Sequence, residues 1–361
     1  MKYYKLSTLL LAITLLFFLA ACELGVNDPT QEPTATVSVP PTAEPSEKPS
    51  AGPVETPSDV EPGEIRLAVL SGPTGVGAAK LLDSIDNNPA SLSYGNYRYT
   101  VYTDNSELVA GLTRGEIDIA TMASNVAVNL YHKTGGVKII AAGTLGVLHI
   151  LEGGGGTEIN SIADLAGKTI WSAGQGANPE YVLRFLLQKS DLEIGTDVKI
   201  EFADASEIQA KLLSGDIRYA MLPVPAATAA IAKGEGKVRA AIDVTEAWDE
   251  LQGGQLIMTA VVARTEYLET YPDLVDHFLT DYEKSIDYVS SNPDAAAELV
   301  AGYNITPSAA IAKQAIPQCH LVFLAGDGMM SALSDYYLTL YAIDPASVGG
   351  SLPDDGIYYI Q

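Results

Sequence analysis

Short apolar runs and amphipathic segments alternate along this chain in a repeating order. The run Ile65-Arg66-Leu67-Ala68-Val69-Leu70 is β-like, and a helix is predicted near residues 78–85. A strand is predicted over 98–103. A helix follows over 106–114, with Leu108, Val109 and Leu112 at near-helical spacing. Ile117-Asp118-Ile119-Ala120 reads as a short strand, 125–131 as a helix and 138–143 as a strand. The series then restarts. Thr169-Ile170-Trp171-Ser172 is a strand, and a helix begins where Asn178 precedes Pro179, a good capping pair. That helix runs to about Lys189 with Leu183, Leu186 and Leu187 inward, and 199–202, 210–213 and 218–222 repeat the earlier pattern. After an apolar β-like stretch at 256–264 the chain turns helical, over 271–289, 294–303, 307–316 and 329–341.

The restart is a true repeat at an offset of 100. Asp104-Asn105-Ser106-Glu107-Leu108 recurs as Asp204-Ala205-Ser206-Glu207-Ile208. Ala110, Leu112, Gly115, Ile117 and Ala120 recur as Ala210, Leu212, Gly215, Ile217 and Ala220. A gapless match this dense implies two similar α/β units, each a mostly parallel sheet flanked by helices. Two like lobes leave a cleft between them, and the function is expected there. The helical tail is expected to return to the first lobe. The chain then crosses between lobes twice, near 143–148 and near 255–261, which makes a hinge. Lobe 1 is 64–147 plus 258–361, and lobe 2 is 148–257.

The amino terminus adds a location. Met1-Lys2-Tyr3-Tyr4-Lys5 precedes an apolar run over 9–21, too short for a membrane span of about 20 residues and read as a secretion signal over 1–21. Residues 22–63 are rich in Pro, Thr, Ser and Glu and poor in large apolar groups, so they read as an extended, disordered tether. Lysine and arginine total 21 against 45 acidic residues, a formal charge of −24, which argues against nucleic acid. Beyond residue 63 the sole cysteine is Cys319, so no disulfide joins two folded cysteines. No histidine pair has metal-ligand spacing, and no cofactor or metal is expected.

Four features together resemble a known family. Leu19-Ala20-Ala21-Cys22 is similar to the bacterial lipobox, whose cysteine is lipidated; the other reading is an ordinary signal cut after Ala21. Arg114-Gly115-Glu116-Ile117-Asp118-Ile119-Ala120, the segment 162–170, and the stretch from Tyr271-Pro272-Asp273-Leu274-Val275 to Ser291-Asn292-Pro293-Asp294-Ala295-Ala296 complete the set. The chain resembles solute-binding proteins of ABC importers in the nitrate, sulfonate, taurine and thiamine-precursor class. The resemblance covers about residues 65–345. It implies a two-lobed type 2 periplasmic-binding fold that closes on a small-molecule ligand and delivers it to an ABC permease. A monomer held at the membrane by a lipid on Cys22 is expected. The alternatives are a sensor ligand-binding domain or a small-metabolite enzyme on the same fold.

Candidate site residues lie where predicted strands end. In the loop Ser71-Gly72-Pro73-Thr74-Gly75-Val76-Gly77, Ala78 and Ala79 replace the Lys and Ser/Thr of a phosphate loop, so nucleotide hydrolysis is not expected. Gly72, Pro73, Thr74 and Gly75 either expose amides to a ligand or form a plain turn. Ser124 and Asn125 cap a helix, donate to a ligand, or do both. At the same place in the repeat stands Val224, behind Pro223, so the second lobe supplies surface and backbone there. Gln175 and Asn178 carry amides, with Gly176 letting a ligand approach the backbone. Trp171 either stacks on a flat ligand or belongs to the core. Leu145 lies in the first crossing and His149 just after it. No nucleophile–base set is evident, and no catalytic residue is assigned. Arginine is scarce in these loops, and strongly anionic ligands recruit arginine forks. A neutral or weakly charged organic molecule is expected.

Overall fold

The computed structural model describes residues 63–252 and 254–360. The leader, Cys22 and the tether through residue 62 lie outside the described residues.

The chain first builds β1 (Ile65–Leu70), α1 (Pro73–Val76), α2 (Ala79–Asn87), β2 (Tyr97–Tyr102), α3 (Asn105–Thr113), β3 (Ile119–Ala123), α4 (Ser124–Thr134) and β4 (Val137–Thr144). It next builds β5 (Leu148–Glu152), β6 (Thr169–Ser172), α5 (Asn178–Lys189), β7 (Lys199–Phe202), α6 (Ala205–Ser214), β8 (Tyr219–Pro223), α7 (Ala226–Lys233), β9 (Arg239–Asp243) and α8 (Val244–Gln252). It ends with β10 (Thr259–Arg264), α9 (Thr265–Thr270), α10 (Pro272–Ser291), α11 (Pro293–Gly302), α12 (Ala309–Ala315), β11 (Leu321–Leu324) and α13 (Gly326–Ile343).

Two sheets result, ordered β11-β4-β10-β3-β1-β2 and β7-β6-β8-β5-β9. Both are mixed. In the first, β1 pairs in parallel with β2 and β3, while β10 lies antiparallel between β3 and β4. In the second, β6 pairs in parallel with β7 and β8, while β5 lies antiparallel between β8 and β9. The two inserted strands share a history, because each has just crossed from the other sheet. A home strand runs up to the facing edge and turns into a helix there. A strand arriving from across that edge must run down it, so antiparallel pairing follows from the crossing itself.

The strands β3 and β8 occupy 119–123 and 219–223, keeping the offset of 100, and α3 and α6 begin at Asn105 and Ala205. Right-handed connections place helices on both faces. In the first sheet α1, α2, α10 and α11 pack on one face, and α4 and α13 pack on the other. The strand interiors are near-continuous apolar runs, such as Ile139, Ile140, Ala141 and Ala142, all fully buried, as sheets covered on both faces require.

Candidate functional site

The sequence-singled residues separate into three places. Ser124, Asn125, Gly176 and Asn178 meet. Ser124 and Asn125 open α4, Asn178 opens α5, and all three side chains are fully buried. None of them caps its helix as the sequence predicts: the cap positions are Ala123 and Ala177, and the side chains are spent on bonds across the seam instead. Asn178 Nδ2 donates to Ser124 Oγ at 3.0 Å and to the carbonyl of Met258 at 2.8 Å. Tyr336 of α13 donates its hydroxyl to Asn178 Oδ1 at 3.1 Å, so every polar atom of this amide is engaged. Ser124 Oγ donates to the carbonyl of Ile257 at 2.7 Å, and the Tyr337 hydroxyl donates to the carbonyl of Ser124 at 2.8 Å. Asn125 Nδ2 donates to the carbonyl of Gly176 at 3.1 Å, while its Oδ1 is buried without a partner. This is a polar seam between the strand ends of the two sheets. A buried amide left unmatched costs about 1–3 kcal/mol, which accounts for the complete bonding of Asn178; Asn125 Oδ1 is the exception.

The loop after β1 lies elsewhere. Its Ser71 N–H donates to the carbonyl of Tyr102 at 2.8 Å and its Gly72 N–H to that of Ile305 at 3.0 Å. Gly72 has φ 81°, and a Cβ there would meet nothing within 4 Å, so open space adjoins this backbone. Gly75 is different: a Cβ would strike the Leu70 carbonyl and Val69, so its lack of a side chain lets α1 lie on β1. Pro73 is half-buried and Thr74 buried. Pro223 ends β8, and a cis Val224–Pro225 bond leads into α7.

The remaining residues flank the crossings or leave the region. Leu145 donates its N–H to the carbonyl of His320. It also lines a recess of about 650 Å³ with Thr245, Asp249, Gln255, Leu256 and Asp335. His149 Nδ1 stands 3.9 Å from Asp243 Oδ2. Burial holds the His149 pKa below its ordinary value of 6.5, against the opposing pull of Asp243; nearby His320 pushes the same way as burial. Gln175 is exposed. Trp171 is half-buried beneath Lys211 of α6, whose Nζ sits 4.0 Å from the ring centroid.

The structure adds polar groups that the sequence reading missed. Thr144 and Thr259 are register partners at the crossing ends of β4 and β10. Both are 1% exposed, and neither hydroxyl has a protein partner. Thr228, in the first turn of α7, is likewise buried with an unpartnered hydroxyl. The available signal was a threonine beside each crossing, Thr144 closing one apolar run and Thr259 inside the other. For Tyr336 and Tyr337 it was a tyrosine pair in an apolar helix, since buried phenols need partners. The loops 71–75, 123–125 and 223–226 contain no charged residue. Among the described residues no group of three or more His, Cys, Asp or Glu could hold a metal ion, and no helix is long and apolar enough to cross a membrane.

Comparison with solved structures shows the fold. A Parabacteroides distasonis chain described as an ABC transporter superposes with TM-score 0.68 at 23% identity, covering 82% of this chain and 99% of that one. The periplasmic aliphatic sulphonate binding protein SsuA from Escherichia coli gives TM-score 0.67 at 15% identity, over 83% of this chain and 93% of its own. A Candida albicans gene product described as exhibiting the generic periplasmic binding protein structural fold gives TM-score 0.56 at 12% identity, over 81% of this chain and 93% of its own. No curated protein matches the sequence. The model of the family described as NMT1/THI5 like matches residues 98–296, more than half of the chain. With two mixed sheets in a periplasmic-binding arrangement and this match running through both, the chain belongs to the NMT1/THI5-like family.

Proposed function

We propose that this protein captures a small organic solute between its lobes, 64–147 plus 258–361 and 148–257, outside the cytoplasm, and presents it to an ABC permease. The observation that carries this reading is the unspent hydrogen-bonding capacity of Thr144 and Thr259, buried at the crossing ends of their strands. A solute reaching them would regain what their burial costs, and a wrong solute would leave them unmatched, at about 1–3 kcal/mol each. The open backbone at Gly72, with Pro73, Thr74 and Pro223, supplies the rest of the proposed lining. The lipobox-like Leu19-Ala20-Ala21-Cys22 supports a lipid anchor on Cys22. The Escherichia coli neighbour is named for binding an aliphatic sulphonate. The loops here offer no arginine or lysine for such an anion, so the solute of this protein is neutral or weakly charged.

A thermal-shift screen of alkanesulfonates, nitrate and uncharged heterocycles tests this. One uncharged class is expected to raise Tm, since a ligand at 100 times its Kd stabilises by about 2.7 kcal/mol. Thr144→Val and Thr259→Val should reduce that shift. A shift from sulfonates alone would overturn the charge assignment. No shift from any class would overturn solute capture.

A further inference from the structure

Away from the crossing segments, the two most extensive helix contacts between the two sheets' halves, among the described residues, lie on opposite faces of the molecule. On one face α13 packs on α5 and α5 on α8. There Trp248 of α8 lies between Phe185, at 4.4 Å between ring centroids, and Tyr336, at 5.8 Å. This aromatic stack covers the Asn178 seam, whose partners include the carbonyls of Ile257 and Met258 on the returning crossing. On the other face α12 packs on α7. These helices read Ala309-Ala310-Ile311-Ala312-Lys313-Gln314-Ala315 and Ala226-Ala227-Thr228-Ala229-Ala230-Ile231-Ala232-Lys233. Among the described residues no hydrogen bond or ion pair joins them. Lys313 turns to Asp294 and Lys233 to Gln209, each within its own sheet's half.

The two contacts therefore differ in what separation demands. Parting the seam would uncover Trp248, Phe185 and Tyr336 and strip a fully bonded amide of its partners. Parting α7 from α12 separates mainly alanine surfaces, which present few atoms and have no rotamers to rearrange. A pivot must also lie beside the segments that bend, and the seam is bonded to one of them.

We infer that the lobes swing about the Asn178 seam and part between α7 and α12. Asn178 is then a positioning residue: with Ser124 and Tyr336 it keeps one side of the molecule shut while the other opens. The alanine-rich pair is the mouth. The inference concerns motion alone and stands whether or not a solute fills the space.

Paired nitroxide labels read by dipolar EPR test it on the full chain carrying Cys22→Ser, stripped of co-purified solute by partial denaturation and dialysis. Cys319 is fully buried and escapes labelling. One pair, Ala232→Cys with Gln314→Cys, spans the mouth. The other, Gln188→Cys with Leu338→Cys, spans the seam. All four positions are exposed. The mouth pair is expected to give a distribution at least twice as wide as the seam pair. Tyr336→Phe, which removes one hydroxyl, should widen the seam distribution, and Asn178→Ala should widen it further. If Asn178→Ala fails to fold, Tyr336→Phe carries the test alone. A wider distribution at the seam than at the mouth overturns the inference. So do two equally narrow distributions, or a seam unmoved by Tyr336→Phe.

Discussion

At the foot of β3 the first lobe carries Asp118; one repeat later, at the foot of β8, the second carries Arg218. The sign of the charge is reversed, yet the two lobes reach the same arrangement. Asp118, with a fully buried side chain, accepts from Arg66 Nε at 2.7 Å and Nη2 at 2.5 Å, and from Arg264 Nη2 at 3.1 Å. In the second lobe the fully buried carboxylate is Glu152. It is held by Arg239 at 2.7 Å and Arg218 at 3.6 Å, and also by the N–H groups of Glu158 and Ile159. In both lobes one member of the cluster belongs to the strand that crossed over. Arg264 ends β10, and Glu152 ends β5. The repeated requirement is a clamp on the far end of the incoming strand, and either sign of charge can provide it.

Four variants sharpen or break this comparison. Asp118→Asn should be the most damaging, because two arginines under one-fifth exposed lose their shared partner. A loss of about 3–5 kcal/mol in urea unfolding is expected. Glu152→Gln should cost less, about 2 kcal/mol, because Arg218 and Arg239 are 46% and 32% exposed and can turn to water. Equal losses in both variants would break the comparison.

The acid limb follows from the same site. Burial pushes the Glu152 pKa up, but the Glu158 N–H, Arg239 and the Ile159 N–H together pull it below its ordinary value of 4.5. Its contribution is therefore full above that value and is lost as pH falls through the lower folded one. Glu152→Gln should flatten stability measured from pH 5 to 3. The His149 pKa is also lowered, by burial first, so the unfolded chain takes up its proton at higher pH than the folded one. Stability should decline as pH drops below about 6.5, and His149→Gln should reduce that slope. Arg218→Ala should be the mildest change, below about 1 kcal/mol, because Arg218 is exposed and Arg239 still holds Glu152.

How much was legible depended on the range of the interaction. The repeat made β3 and β8 and the helices before them readable, because their spacing is local and survives in both copies. The strands β5, β9 and β11 were not separately read. They hold five, five and four residues, and their pairing partners are remote in sequence. Asn178 was readable as a helix start beside Pro179. Its bonds to Ser124, Met258 and Tyr336 span 54, 80 and 158 residues, and no local pattern encodes such distances. Trp171 was ambiguous because strand spacing does not say which face a helix will cover, and α6 covers its face with Lys211. Asp118 lies in the segment Arg114–Ala120, but its arginines come from β1 and β10.

Sister sheets that each admit one strand from across the divide carry a folding hazard, for β5 and β10 could trade destinations. Exchange would bring Glu152 against Asp118 at one base and Arg264 against Arg218 at the other. The two carboxylates would be buried with like charge, whereas Arg218 is exposed, so the clash of arginines is the weaker of the two. The reversed polarity thus favours each travelling strand at one base over the other, as a key turns more easily in its own lock.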